Sequence, residues 1–271
     1  MQNINKIILN GKTQIYKEVL NMIRHFIIIG SAYSLGKRIA LDYFTDDILH
    51  MDQINEDMKY IYDECGNDVS ISTHFIQVEE TGWDKVIESD HFFSDIELID
   101  NKKKFVEILS KDRHLKGVDI AKYVLSKIPC THLKLEKMVY MCYADYLCEF
   151  GGKLFDDKIY AYKLGPVIES VYEKYKKSGH MFLSVEDDTI LYDEKHREMP
   201  IKSRFLAAED GVRKLISVDK TIDKYGSFTA TDLVKITHQV NTPWSMAGRG
   251  RTLYKKISDK LILEYHKNEL V

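Results

Sequence analysis

Residues 133–152 run LKLEKMVYMCYADYLCEFGG, and their spacing predicts a helix: Leu135, Met138, Val139, Cys142, Tyr143, Tyr146, Leu147 and Phe150 recur on one stripe at helical intervals. Gly151-Gly152 ends it, because glycine accepts the left-handed conformation that closes helices. Upstream, Ala121, Val124, Leu125 and Ile128 share a face before Pro129 halts the helix. Downstream, LFDDKIYAY (154–162) predicts a short β ribbon. KLGPVIESVYEKYKKSG (163–179) predicts a helix with Pro166 near its first turn, lysines in its last and Gly179 beyond. A polar turn region from Asp187 to Glu198 precedes a long helix over Lys202–Lys224. Thr229 and Asp232 then make a capping-box start for ATDLVKITHQ. This half is therefore expected to be mainly α with a short β ribbon.

At 271 residues the chain is long enough for two domains, and 44% hydrophobic with 30% charged residues lets each half bury a core, which excludes wholly disordered and collagen-like chains. No apolar run approaches the ~18 residues of a membrane span. The amino terminus lacks a signal order, so a cytoplasmic, non-membrane protein is expected. The four cysteines, Cys65, Cys130, Cys142 and Cys148, form no CxxC pair and are expected to be reduced. Charge is asymmetric: residues 1–110 carry 11 Lys+Arg against 19 Asp+Glu, net −8, whereas 111–271 carry 28 against 23, net +5. All four prolines lie in the second half. These shifts place a boundary within Lys102–Lys116. The expected organisation is a hairpin extension over 1–22, centred on Asn10-Gly11, a small α/β domain over 23–110 and a helical domain over 111–271.

From His25 the front half alternates apolar runs with amphipathic stretches: HFIIIG, LGKRIALDYF, DILHMD, NEDMKYIYDEC, ISTHFIQVEE, WDKVIESDHFF and IELID. The alternation predicts βαβαβαβ and a small parallel sheet. GSAYSLGKR (30–38) fails as a P-loop, because Arg38 stands where a Mg-binding hydroxyl is required. IIIGSAYSLGKRIA instead resembles the strand-turn-helix of short-chain dehydrogenases. Gly30 and Gly36 match the first and last glycines, Ser34 stands at the middle one, and Asp52 lies where that family places a ribose-binding acid. The resemblance implies a truncated Rossmann-like domain, with Gly30, Ser34, Gly36 and Asp52 as cofactor-binding residues and NAD preferred over NADP. Taken alone, the same glycines permit a tight turn and Asp52 is a solvated acid. The family's catalytic Tyr-x-x-x-Lys pair is not found in this half; the Tyr172–Lys176 string lies in a helix of the other. A NAD- or nucleotide-binding sensor is thus one expectation for the front domain, without dehydrogenase turnover.

KLEKMVYMCYADYL, LFDDKIYAYKLGPVIESVYEKYK and YGSFTATDLVKITHQVNTPW occur in an order that resembles the Panacea domain, the SocA-like antitoxin domain of bacterial and phage toxin–antitoxin pairs, over about residues 115–265. The resemblance implies a non-enzymatic module, requiring no cofactor, that binds and neutralises a cognate toxin and in some members delivers it to a protease. Tyr160, Tyr162, Tyr172 and Tyr175 interleave with Lys163, Lys174, Lys176 and Lys177, and tyrosine beside lysine suits a contact surface. His238 and Trp244 complete the expected partner-binding set. Packing explains the same residues equally: tyrosines capping a core, lysines solvating its outside, and Trp244 lying against a helix end. No metal-ligand spacing and no Arg- and Asn-rich recognition helix is present in the sequence, so neither a metal site nor a specific DNA operator is expected.

Overall fold

The computed structural model describes residues 22–45, 51–183, 198–251 and 255–270. The hairpin expected over 1–22 and most of the turn region at 187–198 lie outside the described residues. The chain divides into two units, Met1–Lys111 and Asp112–Val271.

The first unit contains β1 (Ile23–Ala32), β2 (Lys37–Thr45), α1 (Met51–Cys65), β3 (Ile71–Val78), α2 (Trp83–Ser89), β4 (Ile96–Leu98) and α3 (Lys102–Asp112). Its sheet has the order β3-β1-β2-β4. β1 pairs antiparallel with both β2 and β3, and only β2 and β4 are parallel. The parallel sheet expected here is therefore corrected to a mixed one. LGKRIALDYF, expected as a helix, is mostly strand β2. The reason is length: only Tyr33–Gly36 separate β1 from β2, enough for a hairpin but far short of a parallel crossover. Gly36 takes φ 64°, and its N–H donates to the Tyr33 carbonyl to close the turn at 3.2 Å. Alternation along both strands then supplies two faces. Ile28, Ile39 and Leu41 pack with Ile61, Phe105 and Leu109, while Ile27, Ile29 and Ala40 pack with Val86, Phe93 and Ile96. Burial on both faces explains the unbroken apolar run of β1.

The second unit contains α4 (Gly117–Lys127), α5 (His132–Phe150), β5 (Ile159–Tyr162), β6 (Gly165–Ile168), α6 (Glu169–Tyr175), α7 (Glu198–Leu206), α8 (Gly211–Tyr225), α9 (Ala230–Thr237), α10 (Pro243–Met246), β7 (Lys255–Lys256) and α11 (Asp259–Tyr265). α5 is its centre. Thr131 caps its start, Gly151 closes its end, and every residue from Leu135 to Ala144 is buried. It is thus surrounded rather than one-sided, with α4, α8, α9, α11 and β6 packed about it. β5 pairs antiparallel with β6 and β7. Gly165-Pro166, expected at a helix start, begins strand β6, and the helix starts only at Glu169. Proline is tolerated there because β6 is an edge strand. The helix expected over Lys202–Lys224 is broken between α7 and α8, where Asp210 takes φ 54°.

Ala40 separates the hairpin from the helix assignment experimentally. It is fully buried, whereas Phe44, near the end of the same strand, is 56% exposed. Ala40→Asp is expected to cost about 3–5 kcal/mol by leaving an unpaired carboxylate in the core, and Phe44→Asp less than about 1 kcal/mol. Urea unfolding of the two variants measures both.

Candidate functional site

Two adjacent charged residues of α5 determine how the β5–β6 hairpin sits. Glu136, 2% exposed, accepts the Ile168 N–H at 2.9 Å through Oε2. Its Oε1 lies 3.3 Å from His132 Nε2. Lys137, fully buried, donates from Nζ to the Pro166 carbonyl at 2.6 Å. One strand is thus held by a carboxylate on its N–H and an ammonium on its C=O. Burial pushes the Lys137 amine down to about 8, against the opposing pull of Glu136. Gly165 fits this arrangement: at φ 109°, a Cβ there would stand 2.7 Å from Lys137 Cε.

Beyond the clamp, the hairpin tip rests on an aromatic shelf. The Trp244 indole N–H donates to the Tyr162 carbonyl at 2.8 Å, and the His238 ring stacks on the indole with centroids 3.7 Å apart and planes 4° from parallel. Tyr162 meets Tyr172 edge-on at 5.3 Å, and Tyr172 lies 5.5 Å from the His132 ring. Burial and then the Lys137 charge hold the His238 imidazole below its ordinary range, so it is neutral near pH 7. No nucleophile or orienting acid is hydrogen-bonded to His238 among the described residues; its Nε2 is buried without a partner. Burial pushes the Cys130 thiol up to about 11, away from nucleophilic use. Among the described residues no group of three or more His, Cys, Asp or Glu could hold a metal. What this arrangement offers is a rigid shelf under an exposed tip, where Leu164 is 55% exposed.

The structure gathers four of the expected partner-binding residues, Tyr162, Tyr172, His238 and Trp244, and leaves Lys163 exposed on the tip. Tyr160 is half-buried on β5, opposite Val167 and Lys256. Tyr175, at 3% exposure, belongs to the core, and Trp244 at 6% is largely covered.

The expected cofactor residues are not brought together. Gly30 lies inside β1, where a Cβ would stand 2.8 Å from the Leu109 side chain, so its smallness serves the approach of α3. Ser34 is in the turn and Gly36 immediately precedes β2. Asp52 follows the far end of that strand, in the first turn of α1. At ~3.3 Å per residue, β2 separates the glycine turn from Asp52 by roughly 25 Å. Asp52 instead borders an open cleft of about 570 Å³ with Tyr43, Phe44, Gln53 and Glu56, which includes none of the other three.

A second polar cluster had no sequence signal, because it joins Tyr140 and Asp145 to His266 and Glu269 across more than a hundred residues, with Thr221 between. His266 Nε2 lies 2.8 Å from Asp145 Oδ1 and its Nδ1 2.8 Å from Glu269 Oε2. The Tyr140 hydroxyl donates to Glu269 at 2.8 Å and the Thr221 hydroxyl to Asp145 at 2.9 Å. Burial opposes the charged imidazole, but the hydrogen bonds and charges of Asp145 and Glu269 outweigh it and push His266 up to about 9. The C-terminal turn is thereby fastened to α5, whose Asp145 is held in turn by Thr221 of α8.

Residues 135–245 match the family model described as antitoxin SocA-like, Panacea domain. The match runs from α5 to α10 and includes the clamp, the hairpin and the shelf. No curated protein and no solved structure gives a significant match to the chain.

The His266 pair predicts a pH dependence of stability. A histidine raised from about 6.5 to about 9 stabilises the fold fully below pH 6.5, and that contribution, about 3 kcal/mol at most, is lost as pH rises through 9. Urea unfolding between pH 6.5 and 9 should show His266→Gln less stable than wild type at the acid end, with the gap closing toward the alkaline end. The gap isolates His266, because Lys137, held down to about 8, shifts stability the opposite way above pH 8 in both proteins.

Proposed function

We propose that this Panacea-domain protein is the neutralising member of a toxin–antitoxin pair and masks its toxin by direct, stoichiometric binding. The family match supports the class of function, and the β5–β6 tip supports the location. Leu164, 55% exposed, stands on a hairpin held from below by Glu136 and Lys137 and from the side by Trp244. An exposed apolar side chain on a backbone already held in place requires little backbone ordering on binding, which suits a contact residue. Tyr162 and Tyr172 support the tip from beneath, with Lys163 beside it. Masking needs no chemistry from the site, in keeping with a neutral His238 lacking a catalytic neighbour. The first unit, with its acidic surplus, has the part of partner choice or ligand sensing in this scheme.

Co-expression with the protein encoded by the adjacent reading frame tests the proposal. The neighbour alone should arrest growth, wild type should restore it, and the two should co-purify. Leu164→Asp should abolish rescue while changing stability by less than about 0.5 kcal/mol, as expected for an exposed position. A harmless neighbour, or arrest undiminished by wild type, contradicts the proposal.

A further inference from the structure

The segments 158–168 and 233–258 contain no acidic residue. The fold brings them side by side. Ala161 and Tyr160 of β5 pair with Lys255 and Lys256 of β7, the Trp244 indole donates to Tyr162, and Gly250 sits so close to the tip that a Cβ there would stand 2.8 Å from the Lys163 nitrogen. A Cβ on Gly248 would touch the Lys255 side chain at 3.6 Å. Lys163, Arg249, Arg251, Lys255 and Lys256 are thus neighbours, and all are exposed. None is ion-paired among the described residues. Some other exposed cations of the unit do have local acids, as Lys176 does with Glu173, Arg213 with Asp210 and Lys220 with Glu149.

We propose that these five cations, together with the exposed Leu164 of the tip, form a docking surface for an acidic face of a protein partner. The inference rests on the masking function proposed above and adds the chemistry of the partner. Unpaired like charges repel one another, and an acidic surface relieves that repulsion while steering encounter. A protein fits better than a nucleic acid. Exposed apolar side chains accompany the cations, Leu164 on the hairpin tip at 55% and Met246 on α10 at 44% exposure, and apolar groups with arginines are the mix of a protein interface. Bases would need free aromatic faces to stack on, yet Trp244 is covered by His238 and Tyr162 packs against Tyr172.

Fluorescence anisotropy on the full chain tests this with labelled peptides alternating Glu with Leu or Lys with Leu, and with single-stranded and duplex DNA oligonucleotides. The Glu peptide should bind more tightly than the Lys peptide and than DNA, and more weakly as salt rises. Arg249→Glu/Arg251→Glu should weaken it by at least about tenfold. Lys103→Glu/Lys104→Glu, equally exposed on the first unit, should leave it unchanged. Should the first pair of substitutions impair folding, Lys163→Glu/Lys255→Glu makes the same test. No binding of the Glu peptide, equal losses from patch and control, or tighter patch-dependent binding of DNA would each overturn the inference. The growth assay reads the function separately: rescue without peptide binding spares the masking role and removes the acidic partner, and the converse removes the role alone.

Discussion

A buried carboxylate and a buried ammonium, side by side on α5, hold one strand by both of its hydrogen-bonding directions. Taking two charges out of water is costly, and attraction between them offsets the cost only when the remaining donors and acceptors are also used. Here Glu136 takes the Ile168 N–H and Lys137 gives to the Pro166 carbonyl, so the pair is satisfied through the backbone of β6. Removing one partner would leave the other buried and uncompensated, which typically destabilises by about 3–5 kcal/mol. Shifting the hairpin on the helix would break both contacts and incur that cost.

The surface follows from that constraint. With β6 fixed, the Lys163-Leu164 turn projects outward, and the Tyr162 carbonyl is aimed at the Trp244 indole. Trp244 in turn carries His238 and anchors α10, from which the Gly248–Arg251 loop returns over the tip before β7 joins the sheet edge. The His266 cluster does the equivalent for the C-terminal turn, which meets the same helix through Asp145 and Tyr140. α5 thus carries charged residues among its apolar ones, and Glu136, Lys137 and Asp145 each fasten a neighbouring segment to it.

Signals within a few residues were legible in the sequence. The α5 helix, its glycine stop, the Thr229–Asp232 cap and the order of motifs in the second unit could all be read there, since caps and periodicity are local. The type of the second element was not. LGKRIALDYF reads as an amphipathic helix, and the four-residue span that instead makes it the return strand of a hairpin resembles a dinucleotide-binding turn. Gly165-Pro166 suited a helix start as well as an edge strand, and only pairing with β5 separates the two. Of the candidate site, the tyrosines, His238 and Trp244 were visible as motif residues. Glu136 and Lys137 carry no such mark, because a charged pair in a helical stripe gives no local sign that a strand will cover it.

Residue-resolved amide hydrogen exchange on Lys137→Met is the most direct measurement of whether this clamp holds the hairpin. The opening free energy of the β5–β6 amides, Ile168 included, should fall by more than that of the α8 amides, since the strand loses its anchor while the helices keep their packing. Equal falls in the hairpin and in α8, or no change in the hairpin, would contradict the clamp as the element that positions the surface.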